Sequence, residues 1–254
     1  MINKIINIAK EAGEVIRNGF GENLKIEFKT GENNLVTNID KAAEKIILDF
    51  IKLEYPHHSI IAEESGTKFN SSDYTWVVDP LDGTTNFAHG LPIFAVSIGV
   101  QKKDEIVAGV IYDVMNDKIY SAEKGAGTYV NGKRSMVTKN GNLAESLVVT
   151  GFPYNIEKDL DETMRIFKQF LLETRAVRRL GSAAIDFCYV AAGVFDGFWE
   201  RGLNPWDVCA GLLLVKEAGG KISDFSGKSI NIDSNQFLAT NGAIHDEMLK
   251  VINH

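Results

Sequence analysis

The run Thr75-Trp76-Val77-Val78-Asp79-Pro80-Leu81-Asp82-Gly83-Thr84-Thr85-Asn86-Phe87 reads as a buried strand ending in two carboxylates. Its first four residues are aromatic or β-branched, which suits a strand. Pro80 stiffens the turn, and Asp82 follows three residues after Asp79. Two carboxylates at one rigid strand end can share a hard cation, and the Leu81 carbonyl between them can join in. Oxygen-only ligation suits Mg²⁺, with water and substrate phosphate completing an octahedron. Gly83 lets backbone N–H groups approach a ligand, and a helix beginning there would point free N–H groups at a phosphate. An isolated D-x-x-D-G is more often an Asp-Gly turn that merely caps a helix, so the residues around it carry the decision.

Working outward, residues 2–18 place Ile2, Ile5, Ile6, Ala9, Ala12, Gly13 and Ile16 on one face at helical spacing. A second helix is expected from Asn38 until Pro56. Strands are expected at 59–62, 75–78, 94–100, 106–112, 119–122 and 128–130, with Asn131-Gly132 as a tight turn. The second half reads as a strand at 146–150, helices at 159–174 and 182–193, a strand at 198–200 and a helix at 206–218 closed by Gly219-Gly220. Strands interspersed with helices predict an α/β (α+β) architecture with layered sheets. The polar stretch 135–145 is the expected seam between sub-domains at 1–140 and 141–254 that share one cleft.

Further acids fall at element ends. Glu63 and Glu64 close the apolar run Ile60-Ile61-Ala62, where a carboxylate pair points either at solvent or at metal. Asp207, in Pro205-Trp206-Asp207, sits in a helix's first turn, where negative charge is favoured anyway. Asp40 likewise reads first as a helix N-terminal acid. Together, without obvious basic partners in the sequence, these acids favour a shared metal cleft.

Composition excludes several classes. The 254 residues carry 34 Asp+Glu against 27 Lys+Arg, a formal net charge of −7, which argues against a general nucleic-acid binder. No apolar run approaches the roughly 18–20 residues that span a bilayer. The N-terminal MINKIINIAKEAGEVI has no signal-peptide apolar core, so a cytoplasmic protein is expected. Cys188 and Cys209 lie in apolar stretches and are expected to be buried thiols, and with five scattered His no zinc-ligand cluster can be written. Gly125-Ala126-Gly127 has Val130 where a dinucleotide fingerprint needs its third glycine. His57-His58 is expected in a solvated turn, and His89 reads as a loop residue or as cleft lining.

Two long motifs then carry a resemblance: 76–87, quoted above, and Trp206-Asp207-Val-Cys-Ala-Gly-Leu-Leu-Leu-Val-Lys-Glu-Ala-Gly-Gly220. With both intact and in this order, the chain resembles the inositol monophosphatase family, Mg²⁺-dependent and lithium-sensitive phosphatases, in its bacterial type and essentially end to end. The resemblance implies a layered αβαβα sandwich of the sugar-phosphatase type, usually a homodimer. It implies that Glu63, Asp79, Asp82 and the Leu81 carbonyl bind one Mg²⁺ and that Asp79, Asp82 and Asp207 bind a second, with two or three ions per subunit. Thr84, oriented by Asp40, and Glu63 would position and deprotonate the attacking water. The Gly83 and Thr84 amides would hold phosphate, and Gly181, Ser182, Ala183, Glu200 and Asp207 would contact substrate. The implied reaction is cleavage of myo-inositol monophosphate by direct attack of water. Alternatives are fructose-1,6-bisphosphate or broader sugar or nucleotide phosphatase activity, with Arg201 as the cation that could favour a second phosphate. A non-enzymatic alternative is protein-protein binding to the transcription machinery, without direct nucleic-acid or membrane contact. Arg178 and Arg179 are read as dimer-interface residues ahead of phosphate ligands.

Overall fold

Helix α1 (Ile2–Gly19) turns Ile5, Ala9, Ala12, Gly13 and Ile16 of the expected stripe into the core together with Ile8, while Ile2 and Ile6 are half-buried at its edge. In this computed structural model residues 1–22, 26–28, 35–153 and 156–254 are described. Strands β1 (Ile26–Phe28) and β2 (Leu35–Thr37) form an antiparallel ribbon that leads into α2 (Asn38–Glu54). There follow β3 (Ser59–Ala62), β4 (Gly66–Lys68), β5 (Tyr74–Asp82), the short α3 (Thr84–Ala88), β6 (Ala95–Lys102), β7 (Glu105–Asp113), β8 (Lys118–Glu123), β9 (Gly127–Val130) and β10 (Lys133–Ser135). These eight strands make one sheet, ordered β10-β9-β8-β7-β6-β5-β3-β4, antiparallel except at the β3/β5 pair. Asn131 and Gly132, at φ 47° and 76°, form the β9–β10 turn with both central residues left-handed, as the Asn-Gly pair predicts.

The second half supplies β11 (Leu147–Thr150), α4 (Leu160–Glu173), β12 (Ala176–Arg178), α5 (Ala183–Ala191), β13 (Gly197–Arg201), α6 (Pro205–Glu217), β14 (Lys221–Ser223), β15 (Gln236–Thr240) and α7 (His245–Asn253). Its sheet runs β12-β11-β13-β15-β14. Three apolar clusters fix the layering. One joins α1 and α2 to the outer face of the eight-stranded sheet, one packs α5 and α6 between both sheets, and one joins α4 and α7 to the five-stranded sheet. The five-layer αβαβα order follows.

Helix α6 is apolar on nearly all sides because it lies between sheets: Val208, Cys209, Ala210, Leu213, Leu214 and Val215 are all buried. Gly99 in β6 permits this approach, since a Cβ there would lie 2.3 Å from the Cys209 Sγ. Both cysteines are free and buried, as expected. Short edge elements escape the sequence reading: β4, β10, β12 and β14 have three residues each, too few to show a period. One expectation is corrected. His58 is not a solvated turn residue: it stacks between the rings of Tyr55 and Tyr74 at 5.0 and 4.9 Å, and its Nδ1 accepts from Trp76 Nε1 at 3.0 Å. Tyr55 is three residues away, but Tyr74 and Trp76, which complete the enclosure, lie 16 and 18 residues on, so the local sequence does not announce it. His57 beside it is exposed.

Candidate active site

Residues three apart on a regular strand face opposite sides of a sheet, so Asp79 and Asp82 should diverge. They do not. On β5, Asp79 pairs with Ser97 and Asp82 with Ala95, so three steps on β5 match two on β6. The extra residue is a bulge at Pro80-Leu81, a position where proline's missing N–H costs no ladder bond. The bulge returns both carboxylates to one face. Parallel register then sets Glu63 beside them: Ala62 pairs with Val78, and the Glu63 N–H donates to the Val78 carbonyl at 3.2 Å. Ser97, opposite Asp79, donates to the Trp206 carbonyl at 3.4 Å, which brings the start of α6 and Asp207 to the same place. Carboxylate oxygens of Asp79, Asp82 and Asp207 all lie within 4.8 Å of one another.

Each acid is held by one oxygen. The Leu81 N–H donates to Asp79 Oδ1 at 2.9 Å. Ser182 Oγ and the Ala184 N–H (2.9 Å) donate to Asp82 Oδ2, so the N-terminus of α5 is docked on the metal-type cluster. The Asn204 N–H donates to Asp207 Oδ2 at 2.7 Å, which is the capping box of α6. Asp207 thus caps its helix and faces the cluster at once, and the two readings of that residue are compatible. Asp40 repeats the device: its Oδ2 accepts from the Thr37 N–H at 2.9 Å and the Thr37 hydroxyl, while Oδ1 accepts from Thr84 Oγ1 at 3.0 Å. Thr84 Oγ1 also lies 2.9 Å from the Leu81 carbonyl. A hydroxyl has one proton, so a cation on that carbonyl would leave the proton to Asp40.

The local electrostatics are unfavourable without a cation. Burial, then the charges of Glu63, Asp82 and Asp207, push the Asp79 carboxyl well above its ordinary range. Burial pushes Asp82 up to about 6, against the pull of Ser182 and Ala184. Burial of the Asp207 carboxyl and the charges of Glu63 and Asp82 raise it as well. Among the described residues no Lys or Arg forms an ion pair with Asp79, Asp82 or Asp207. Clustered, anchored, oxygen-only and without cationic partners, this donor set fits one or more hard divalent cations.

Around the cluster, Gly83 caps α3 at φ 91°, and a Cβ there would meet the Ile93 carbonyl at 2.9 Å, so glycine is required. Asn86 Nδ2 donates to the carbonyls of Ile93 (2.8 Å) and Leu180 (2.9 Å), joining α3 to the turn that precedes Gly181. Gly181 and Ala183 therefore sit beside the acids, and Ser182 is bonded to one of them. Glu200 is buried on β13, where burial raises it to about 8 against the opposing charge of Arg179. It packs on Gly151, whose Cβ, if present, would lie 2.1 Å from the carboxylate. Arg201, next along the strand, turns the other way: its guanidinium reaches Glu162 at 3.5 Å and covers the Phe225 ring at 5.2 Å. The structure does not bring it to the acids. His89 is exposed at the end of α3. Arg178 is exposed, and Arg179 lies over Phe152 at 5.2 Å.

Ser182, expected against substrate, donates to Asp82, a bond between residues 100 positions apart with no local signal. One further group of the site carries no expectation from the sequence. Asp186 is a buried carboxyl whose Oδ1 has no partner, near Glu200 and Asp82. A lone acid in the apolar stretch 183–191 was the available sign.

A model of the inositol monophosphatase family matches residues 1–254. The chain belongs to the inositol monophosphatase family. It is 41% identical to the Nus factor SuhB of Pasteurella multocida, over 99% of this chain and 95% of that protein. It is equally 41% identical to the fructose-1,6-bisphosphatase/inositol-1-monophosphatase of Aquifex aeolicus, over 98% and 96%. The crystal structure of the extragenic suppressor protein SuhB of Bartonella henselae superposes with a TM-score of 0.94 at 37% identity, covering 98% of this chain and 97% of that one. This member of the inositol monophosphatase family is accordingly a phosphatase, with an acidic cluster suited to metal. Among its described residues no helix is long and apolar enough to cross a membrane.

Proposed function

We infer that the protein hydrolyses myo-inositol monophosphate to inositol and phosphate with Mg²⁺, by direct attack of water. The observation that carries this reading is the convergence of Asp79, Asp82 and Asp207 beside the Thr84–Asp40 pair. Glu63, Asp79, Asp82 and the Leu81 carbonyl would hold one Mg²⁺, and Asp79, Asp82 and Asp207 a second. When bound, Mg²⁺ supplies charge neutralisation for the phosphate and the leaving oxygen and makes an adjacent water more acidic. The chain's own groups do the positioning. Thr84 Oγ1, with its proton on Asp40 Oδ1 at 3.0 Å, has lone pairs free to accept a proton from water while Asp40 takes the hydroxyl proton. Glu63 is the second acceptor. The Gly83 and Thr84 amides hold the phosphate oxygens, and Gly181, Ala183 and Glu200 face the alcohol. We read the molecule as cytoplasmic and homodimeric, lithium-sensitive, with halves 1–140 and 141–254 meeting at this cleft.

The test is phosphate release from inositol-1-phosphate, fructose-1,6-bisphosphate, glycerol-2-phosphate, adenosine monophosphate and NADP, with Mg²⁺, with and without Li⁺. Preference for inositol-1-phosphate with inhibition by Li⁺ is expected. Two relatives' names motivate the other readings. The Aquifex aeolicus protein's name supports fructose-1,6-bisphosphate as the alternative substrate, and higher turnover of that compound would select it. The Nus factor name supports a protein-binding role, which no phosphate release from any substrate would favour.

A further inference from the structure

The far end of α6 carries a second and unlike cavity. At one end of β6 Ala95 pairs with Asp82, and at the other Lys102 pairs with Tyr74. Lys216 stands about 14 Å along the α6 axis from Asp207, at the helical rise of 1.5 Å per residue. Here the β6–β7 turn, the β8–β9 turn, the end of α6 and the segment after β14 enclose about 1050 Å³. Small-molecule sites run to roughly 1,000 Å³, so the space suits a ligand rather than a single water.

The floor is aliphatic. Leu212, Leu213 and Ile232 are buried there, and Ile106, Ile222 and Ile230 lie half-buried against the same core. The rim is cationic, with Lys102, Lys103, Lys124, Lys216 and Lys221 against Asp104, Glu105 and Glu217. Three of the lysines already have partners: Lys103 with Asp73 (3.7 Å), Lys124 with Glu105 (2.5 Å) and Lys221 with Asp246 (2.9 Å). Glu217 is committed to the backbone, accepting from the Gly125 and Gly127 N–H groups at 2.8 and 2.9 Å, which fixes the β8–β9 turn as a wall. Lys102, 5.4 Å over the Tyr74 ring, and Lys216 have no ion-pair partner among the described residues. Nor is Lys216 needed to satisfy the helix end. The Leu214, Val215 and Lys216 carbonyls already accept from the Ala218, Gly220 and Gly219 N–H groups.

We propose that this cavity binds a small, soluble anionic amphiphile, its phosphate-type head held by Lys102 and Lys216 and its aliphatic chain lying on the isoleucines. Charge complementarity selects the head: two exposed ammonium groups at a concave surface, neither with an ion-pair partner among the described residues. The lining selects the body, because no aromatic side chain is present among the lining residues to stack on a nucleotide base. The assignment is independent of the reaction catalysed at the acids.

Calorimetric titration of the metal-free protein in EDTA with decylphosphonate, kept below its micelle concentration, tests this. The phosphonate cannot be hydrolysed. Binding is expected, with methylphosphonate and 1-decanol each at least tenfold weaker. The double variant Lys102→Glu/Lys216→Glu should lose at least tenfold in affinity, as should Ile230→Glu, which removes part of the floor. The double variant should keep the wild-type melting temperature and rate of phosphate release, because both lysines are exposed. No decylphosphonate binding overturns the proposal, as does equal binding by the lysine variant. Displacement by inositol-1-phosphate with Mg²⁺, or binding only to phosphatidylglycerol vesicles, also overturns it.

Discussion

The two ends of α6 treat charge in opposite ways. At its N-terminus, Asp207 joins Asp79 and Asp82, with carboxylate oxygens within 4.8 Å of one another and each acid anchored by a protein donor. At its C-terminus the lysines are exposed, and several are loosely paired on the surface. Buried like charges repel strongly because the surroundings screen them poorly, whereas exposed ones are screened by water and salt. The acid end is therefore a stability liability that a cation relieves, and the lysine end is nearly neutral for folding.

Asp82→Asn would break that contrast most severely. Losing one ligand charge should lower phosphate release by roughly 10²–10³-fold, the scale of removing one key electrostatic group from an active site. Substantial activity in that variant would remove the acid cluster from the chemistry.

The next largest effect is on pH and metal. Burial holds Asp82 at about 6 and Glu200 at about 8, above the ordinary carboxyl range, so the folded state keeps protons that the unfolded chain has released. That stabilisation is complete at low pH and is lost as pH rises through the folded values. Metal-free protein should therefore melt at falling temperature from pH 5.5 to 8. Saturating Mg²⁺ should raise the melting temperature at pH 8, by an amount worth about 2.7 kcal/mol at a hundredfold excess over Kd. A flat pH profile of the metal-free form would contradict the repulsion argument.

Gly151→Ala places a methyl group 2.1 Å from the Glu200 carboxylate. Overpacking of this kind costs about 1–3 kcal/mol, read as a lowered denaturant midpoint. Ser182→Ala removes one donor from Asp82 and should weaken the apparent Mg²⁺ affinity about tenfold, measured from the Mg²⁺ dependence of phosphate release. At the other end, Lys216→Ala should change stability by no more than about 0.5 kcal/mol. A larger loss there would mean that the lysine end is under strain too.

Much of the fold is legible because its long elements carry clean periods. The stripe of α1, the apolar runs of β5 to β8 and the all-apolar α6 each mark their own place in the layers. What the sequence leaves open is set by pairings between distant residues. The stack around His58 and the bond from Ser182 to Asp82 join segments with no shared local pattern. Arg201 looks equivalent to Glu200 in sequence, yet strand alternation sends the two to opposite faces.

By itself, the sequence determined which residue types the site contains and where each lies on its element, since Asp79, Asp82 and Asp207 all fall at strand or helix ends. Tertiary structure alone decided that they converge. Three residues of separation would point Asp79 and Asp82 apart, and only the β5–β6 pairing reveals the extra residue that turns them together. The lysine cavity was decided in the same way, by four chain segments that meet only when α6 is packed between the sheets.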